Sequence, residues 1–338
     1  MVLNSNSFKD VANSAGIVWS RQKGDEAFSV AWGDLNNDGL LDLVVSPHGY
    51  NGASKNYSQA KYPYRYINQG NGKFELLGDF RRGNGGDTHG LSLADFDNDG
   101  DQDLFVSGGG QLGNGGGQPN LFFINNNGNL QEQAQSRGLK YEIGRGRSSL
   151  WFDHNNDGLL DVLLLETLRD DGKGKTALFQ QNRNGTFTNV SNAVGLNVPF
   201  PSNYAQLGDV TGDGKLDLII QGTFNFPAKV YDFSQGNRFV DITNRFNFPL
   251  VADIPRNIRE DFQEHRSARD SIIADFDNDG DNDFFVTRSL AQTTNNPSVF
   301  QGTNRKIVSA DLILRNPGRE IGYSFKTASD ARVCLLYT

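Results

Sequence analysis

The chain has 338 residues, and its 39 glycines, 24 phenylalanines and 10 prolines suit many short strands and turns rather than disorder. Its formal net charge of −8 argues against a nucleic-acid partner and against anionic membranes. The single cysteine, Cys334, excludes an intramolecular disulfide. No stretch approaches the roughly 20 apolar residues of a membrane helix, so we predict no membrane insertion.

Four predicted strands follow one another in the first part of the chain. Phe28–Trp32 alternates in polarity and predicts a strand, and Leu41–Val45 and Tyr64–Ile67 predict two more. A turn rich in glycine and asparagine then leads into the fourth strand, Lys73–Leu77. The segment ahead of them, Phe8–Ile17, matches the ends of later repeats and therefore predicts the last strand of a repeat.

The same order of strands returns four times, with starts 56–66 residues apart. The fifth set is uncertain in its outer strands, which fit either Ser298–Gln301 with Lys306–Ser309 or Leu312–Arg315 with Tyr323–Lys326. The first choice leaves residues 311–338 as the remnant of a further unit or as a tail. The other strands of the later sets are predicted at Leu91–Ala94, Leu104–Ser107, Leu121–Ile124 and Leu130; Ser148–Phe152, Val162–Leu165, Ala177–Gln180 and Phe187–Val190; Ala205–Gly208, Leu218–Gln221, Lys229–Asp232 and Phe239–Ile242; and Ser271–Ala274 and Phe284–Thr287.

Serial four-stranded antiparallel units of this length are typical of an all-β protein, and specifically of a β-propeller built from four-stranded blades. We therefore predict a single propeller domain over residues 1–338, with five repeats and room for a further degenerate blade. One stretch departs from the strand pattern. Arg256–Arg269 is charged and has no glycine or proline, so it predicts one or two helical turns.

An acidic nine-residue loop lies between the first and second strands of every repeat. In Asp95–Asp103 five aspartates surround a glycine, and carboxylates at this spacing repel one another. Calcium favours such a loop because it takes about 6–8 oxygen ligands and accepts flexible carboxylates. The loop recurs at Asp34–Asp42, Asp153–Asp161, Asp209–Asp217 and Asp275–Asp283.

Two other interpretations of these loops fit less well. An EF-hand needs a glutamate at position 12 and flanking helices, whereas each loop has Val, Leu or Ile there and lies between predicted strands. Ordinary Asp-Gly turns would explain two residues of each loop but not the aspartates at positions 1, 5 and 9. The four histidines (His48, His89, His154 and His265) show no metal-ligand spacing and are predicted to lie in loops or at the surface.

The strand order also divides the loops between two ends of the sheets. In an antiparallel meander the acidic loops and the Gly/Asn turns share one end, and the long connections share the other. Because binding residues tend to lie on loops held by a rigid scaffold, we expect a partner at the second end. The tyrosines between residues 50 and 66 fit either a sugar-stacking surface or the outer strand of a blade. The long connections are Ser46–Pro63, Gly108–Pro119, Glu166–Lys175 and Asp253–Arg269.

These repeats resemble FG-GAP/VCBS repeats, the units of the integrin α-subunit propeller and of many bacterial surface and secreted proteins. The Phe-x-Asp-Val…Ala-Gly-Ile pattern at Phe8–Ile17 resembles the group that contains cartilage acidic protein and UnbV. The resemblance implies a propeller that binds Ca²⁺ at about five sites. Side-chain oxygens would come from loop positions 1, 3, 5 and 9, and a backbone carbonyl would come from position 7.

The implied ligand sets differ in one place. The fourth loop has a threonine at position 3, where aspartate or asparagine is usual, so this site is the least certain. The implied ligands are Asp34, Asn36, Asp38, Leu40 and Asp42; Asp95, Asp97, Asp99, Asp101 and Asp103; Asp153, Asn155, Asp157, Leu159 and Asp161; Asp209, Thr211, Asp213, Lys215 and Asp217; and Asp275, Asp277, Asp279, Asp281 and Asp283.

The function that the resemblance implies is that of an adhesion or recognition module for an extracellular protein or glycan, with Ca²⁺ in a structural role. It also implies a secreted or cell-surface location, although the first residues lack the pattern of a signal peptide. No catalytic constellation stands out, so we expect no enzyme. Two alternatives stay open: a polysaccharide lyase or hydrolase with a pocket at the propeller centre, and a purely structural domain of a larger surface protein.

Overall fold

The computed structural model places well over half of the chain. It separates into two compact units, one formed by residues 1–149 with 182–187 and the other by residues 150–181 with 188–338. The structure describes residues 9–18, 26–48, 63–79, 87–109, 118–167, 172–222, 228–234, 237–246, 266–276, 278, 280–290, 312–315 and 326–327.

The described residues form five four-stranded antiparallel sheets, and in each sheet the strands lie side by side in chain order. This all-β architecture confirms the predicted blades. The strands are β1 (Glu26–Gly33), β2 (Asp42–His48), β3 (Tyr64–Asn68) and β4 (Phe74–Asp79); β5 (Thr88–Ala94), β6 (Asp103–Gly108), β7 (Leu121–Ile124) and β8 (Gln131–Glu132); β9 (Gly146–Phe152), β10 (Asp161–Glu166), β11 (Ala177–Gln181) and β12 (Phe187–Asn189); β13 (Ser202–Gly208), β14 (Asp217–Gly222), β15 (Lys229–Asp232) and β16 (Val240–Asp241); and β17 (Arg266–Ala274), β18 (Asp283–Leu290), β19 (Leu312–Arg315) and β20 (Lys326–Thr327).

The fifth sheet uses one of the two predicted pairs of outer strands. Its third strand is Leu312–Arg315, which pairs with β18, and its fourth is the short β20. The other pair, within residues 298–309, lies outside the described residues. The stretch that predicted helical turns is strand where it is described, because β17 begins at Arg266 and pairs along its length with β18. Residues 256–265 lie outside the description.

Three short helical turns were not predicted. They are α1 (Ala12–Ala15), α2 (Ala134–Arg137) and a 3₁₀ turn at Thr243–Arg245. The prediction of a last strand at Phe8–Ile17 is therefore wrong for residues 12–15; Phe8 itself lies outside the described residues. A single turn is too short to show a helical period in the sequence, so the pattern carried no signal for it.

Two of the helical turns, α1 and α2, end on glycines that pack against the fourth strand of a sheet. Gly138 has a φ of +84°, which favours glycine, and a Cβ there would lie 2.8 Å from the carbonyl oxygen of Phe187. Gly16 repeats the arrangement against the carbonyl oxygen of Phe74. In the other unit, Gly195 lies in the same way against Phe239. A side chain at these positions would push the turn away from the sheet.

Each unit has its own apolar core between neighbouring sheets. In the first, Leu35 at position 2 of the first acidic loop packs with Val44, Leu104, Val106 and Phe123. In the second, a larger cluster buries apolar side chains of β10, β11 and β14, among others. Each fully buried aliphatic or aromatic side chain contributes about 1.5–3 kcal/mol. Among the described residues, no helix has the length and apolar character needed to cross a membrane.

Candidate metal centre

The five acidic loops share one backbone conformation. The aspartate at position 1 accepts hydrogen bonds from the amides of positions 5 and 6, so its carboxylate closes the loop. In the second loop, Asp99 N and Gly100 N donate to Asp95 over 3.1 and 3.0 Å. The first, third and fourth loops repeat both bonds, and the fifth shows the bond from Gly280 to Asp275.

Two positions of each loop adopt left-handed backbone angles. The glycine at position 6 has a φ of +83 to +94° in all five loops, a region that favours glycine. Position 4 also has a positive φ, near +60°, and four loops carry asparagine there, the residue type that best tolerates this region after glycine. The fourth loop has Gly212 instead. The position-4 asparagines were missed from sequence, although an Asn-Asp-Gly run is a recognisable signal.

The aspartate at position 9 has a second structural role that the ligand pattern did not reveal. It is the first residue of the second strand and is at most 2% exposed in all five loops. Its Oδ2 accepts the amide of position 2, over 3.1 Å from Phe96 to Asp103. Its Oδ1 accepts an amide at the end of the third strand, over 2.8 Å from Asn125. The same Oδ2 bond forms in the other four loops, and the Oδ1 bond recurs at Asp42 and Asp161.

The second loop differs from the first and third in the residue at position 3. In the first loop the amide of Asn36 donates to Asp38 over 3.0 Å, and the third loop has the matching bond over 2.9 Å. The second loop has Asp97 at this place, which has no such donor. Carboxylate oxygens of Asp95, Asp97 and Asp99 lie within 4.8 Å of one another, which brings three negative charges together.

The fourth and fifth loops offer fewer described ligands for a cation. Thr211 is 6% exposed and bonds through its backbone and side chain to Asp217, so its hydroxyl faces the buried end of the loop rather than Asp209 and Asp213. Two implied ligands of the fifth loop, Asp277 and Asp279, lie outside the described residues. The fourth loop is therefore the poorest of the described loops for a cation.

Position 7 differs between loops in its side chain. In the second loop, Asp101 is buried, accepts the amide of Asn127 over 2.6 Å and also contacts the amide nitrogen of Asn37 in the first loop. The carboxylate thus joins two neighbouring sheets of the first unit. Leu40, Leu159 and Lys215 have backbone amides that donate to the position-5 aspartate, over 2.8–3.0 Å.

Burial and mutual repulsion raise the pKa of several loop carboxyls. Burial raises the pKa of Asp103 to about 7 and that of Asp217 to about 6, against the hydrogen bonds of their amide partners. Asp97 has a raised pKa because of partial burial and then because of the charges of Asp99 and Asp95. Burial likewise raises the pKa of Asp42. A cation would lower all of these values, since it favours the charged form.

Two histidines are buried: His154 lies in a loop, as predicted, whereas His89 lies in β5, so the loop or surface prediction is wrong for His89. His154 occupies position 2 of the third loop, where its neighbours in other loops are apolar, and it contacts Asp161 and stacks near Phe239. His89 lies near the start of β5 and is 1% exposed. For His154 the missed signal was the apolar residue at position 2 of the other loops, and for His89 it was the periodicity of the strand. The side chain of His48 and all of His265 lie outside the description.

The donor set of the second loop fits a calcium ion. All three clustered groups are carboxylates, the ligand class that hard cations prefer, and each can present further lone pairs besides those used by amides. Asp95, Asp97 and Asp99 would hold the ion, with Asp103 behind them. In the first and third loops, turning the side-chain amide of position 3 would present an oxygen in place of its nitrogen.

Comparison with known proteins agrees with these repeats. The FG-GAP-like repeat family matches residues 53–106 and 153–220. These two stretches are thus similar to FG-GAP-like repeats, and the described parts of both lie in four-stranded antiparallel sheets.

A relative with a longer chain shares part of the sequence. Cartilage acidic protein 1 of Mus musculus is 26% identical over 195 residues, which cover 56% of this chain and 26% of that protein. The chain is distantly similar to that protein, and the match spans about a quarter of that protein's length. A chain of the Photorhabdus luminescens Tc holotoxin pore aligns with 82% of this chain and 12% of its own length, at 15% identity and a TM-score of 0.33, which is too weak to bear on the fold.

Proposed function

We propose that the chain is a calcium-binding scaffold of FG-GAP-like blades that serves as an extracellular recognition or adhesion module. The cluster of Asp95, Asp97 and Asp99 is the observation that supports calcium binding most directly. Three carboxylates have oxygens within 4.8 Å of one another, and Asp97 lacks the side-chain amide donor of the first and third loops, so the three groups gain from a shared cation. The sites carry no catalytic step in this proposal.

The ion would have a structural role in this proposal. Asp95 already closes its own loop through two amides, and Asp103 ties that loop to the third strand of the sheet. A bound ion would join these groups to Asp97 and Asp99 and hold the first two strands of the blade together. Recognition is assigned to the long connections at the opposite end, because loops on a rigid sheet can vary without loss of the fold.

Calorimetric titration of the EDTA-treated chain with CaCl₂, and separately with MgCl₂, tests the metal part. We expect calcium to bind with a dissociation constant in the micromolar to millimolar range and magnesium to bind far more weakly, because magnesium demands a stricter octahedral geometry. The variant Asp97→Asn is expected to weaken calcium binding. Absence of calcium-dependent heat would contradict the proposal.

The recognition part needs a separate experiment. The calcium-loaded chain is applied to an array of glycans and to a panel of extracellular-matrix proteins, with EDTA in parallel. Tyr57 belongs to a long connection, and we expect Tyr57→Ala to weaken binding. Lys73 lies at the opposite end of the first sheet, and we expect Lys73→Ala to leave binding unchanged. Binding that responds equally to both substitutions would contradict the assignment of recognition to the long connections.

A further inference from the structure

A buried histidine lies at the end of β5 that is remote from the acidic loop. His89 is the second residue of this strand and is 1% exposed, whereas Asp95 follows the last residue of the strand. The ring of Phe28 on β1 stacks on the imidazole with centroids 4.2 Å apart. The first two residues of β9, Gly146 and Arg147, lie on the Nδ1 side. One imidazole therefore contacts three strands of the first unit.

Glycines allow this close contact. A Cβ on Gly109 would lie 2.4 Å from the Cε1 of His89, so the imidazole rests directly on the backbone there. A Cβ on Gly90 would lie 2.5 Å from the carbonyl oxygen of Arg147, so β5 and β9 also approach closely beside it. Real Cβ atoms do not tolerate such distances, and the histidine is enclosed because neither position carries a side chain.

Each ring nitrogen faces a hydrogen-bond acceptor, and Nδ1 also faces a guanidinium; in the neutral form the proton goes to the nitrogen beside the carboxylate. Nε2 lies 3.1 Å from a carboxylate oxygen of Asp87, so Nε2–H donates to it. Nδ1 then carries a lone pair and accepts from the guanidinium of Arg147, whose Nη1 also donates to the carbonyl oxygen of Gly146 over 3.1 Å. One guanidinium nitrogen thus serves two acceptors, Nδ1 and the carbonyl.

Protonation would change these partners. Nδ1 lies 2.7 Å from the carbonyl oxygen of Gly146, so an added Nδ1–H would donate to this oxygen directly. The guanidinium of Arg147 would then face a donor and a second positive charge. We propose that protonation of His89 releases the Arg147 side chain from its place between β5 and β9.

The charges around His89 favour the neutral form near neutral pH. Burial lowers the pKa of His89 and the nearby Arg147 lowers it further, while the hydrogen bond to Asp87 acts in the opposite direction. Of the described residues packed against the ring, Asp87 and Arg147 are the charged ones; Phe28 and Gly109 offer an aromatic ring and backbone. Acidification would therefore add a positive charge beside Arg147 and displace its guanidinium from Nδ1, at the end of the sheets that carries the long connections.

Nuclear magnetic resonance of the full chain tests this proposal. The histidine Cε1 signals are followed with pH, and His89→Gln identifies the signal of His89. In parallel, the exchange of the Arg147 side-chain N–H protons with water is measured. We expect the His89 midpoint to lie below the ordinary histidine value, and Arg147 exchange to accelerate at least about tenfold with the same midpoint as His89.

Two variants and one internal control make the outcome decisive. Arg147→Gln should raise the midpoint of His89, because it removes a positive charge. In His89→Gln the exchange of Arg147 should show no step with pH; if this variant does not fold, the midpoint in Arg147→Gln still decides. Arg137, whose guanidinium donates to Gly185 over 3.0 Å, should show no step in any variant. Arg147 exchange that stays constant while His89 titrates, or a His89 midpoint that Arg147→Gln leaves unchanged, would overturn the proposal.

Discussion

The substitution Asp97→Asn separates the two roles that the account gives to the second acidic loop. It converts position 3 of this loop into the residue found in the first and third loops, where the side-chain amide donates to the position-5 aspartate over about 3 Å. Without calcium the substitution removes a repelling charge and supplies a donor. With calcium it removes a charged ligand. The two conditions should therefore give effects of opposite sign.

The magnitude follows from the carboxylate separations. Oxygens of Asp97 lie within 4.8 Å of oxygens of Asp95 and Asp99. At this distance one pair of unit charges repels by about 0.9 kcal/mol in water. Screening at physiological ionic strength leaves about half of that, so the two pairs together cost about 1 kcal/mol. Asp97 is exposed, which justifies the water-like value.

We expect Asp97→Asn to raise the free energy of unfolding by about 1 kcal/mol in EDTA. In saturating calcium each tenfold loss of affinity removes about 1.4 kcal/mol of stabilisation, so the variant becomes less stable than the parent chain. Urea denaturation in both conditions measures the two values. The reverse change, Asn36→Asp in the first loop, is the matched control and should lower stability in EDTA. Equal destabilisation of Asp97→Asn with and without calcium would refute the reasoning.

Three further predictions concern the parts of the fold that hold the loops. Asp103→Asn should cost about 1–3 kcal/mol in EDTA, because the amide places a donor against one of two buried backbone N–H groups, and at least as much in calcium; a cost seen only in calcium would contradict this. In urea denaturation, Gly138→Ala should lower the free energy of unfolding more than Gly72→Ala. Both positions have a positive φ, which costs alanine about 1–2 kcal/mol, but only a Cβ at Gly138 also meets a carbonyl oxygen. Equal costs would show that this contact is unimportant. Burial holds the pKa of His89 below its unfolded value of about 6.5, so the unfolded state binds the proton more readily. The free energy of unfolding should therefore fall as the pH drops below that value. In denaturation of His89→Gln across the same pH range, this pH-dependent loss of stability should be absent.

The sequence predicted the strands well because each repeat has a clear period of two and a loop of fixed length. Leu121–Ile124 and Lys229–Asp232 are strands with the predicted bounds. The helical turns at Ala12–Ala15 and Ala134–Arg137 were missed, because one turn cannot display a period of 3.6 residues.

Within the loops, residue types predicted local geometry but not the partners across the sheet. The positive φ of the position-6 glycines, such as Gly100, follows from an Asp-Gly turn with no tertiary information. The burial of Asp103 and its bond to Asn125 depend on the third strand, which lies 22 residues further along the chain. The contact of Asp101 with Asn37 depends on how closely two neighbouring blades pack, and a single sequence gives no measure of the distance between blades.

The burial of His89 was missed for a related reason. Its neighbours Phe28 and Arg147 lie about 60 residues away on either side, on strands that the repeat pattern aligns but does not bring into contact. The glycines that let these strands approach, such as Gly109, read from the sequence as part of a flexible loop. Only the packing of β1, β5 and β9 shows that the imidazole is enclosed.

The most direct test of the account is the thermal unfolding of the full chain with excess EDTA, with millimolar MgCl₂ and with millimolar CaCl₂. If the acidic loops bind calcium in the native state, the melting temperature in calcium should exceed that in EDTA by several degrees and rise further with calcium concentration, while magnesium should have little effect. A melting temperature that is the same in all three conditions would contradict calcium binding, and the loops would then be turns held by their own amide bonds alone.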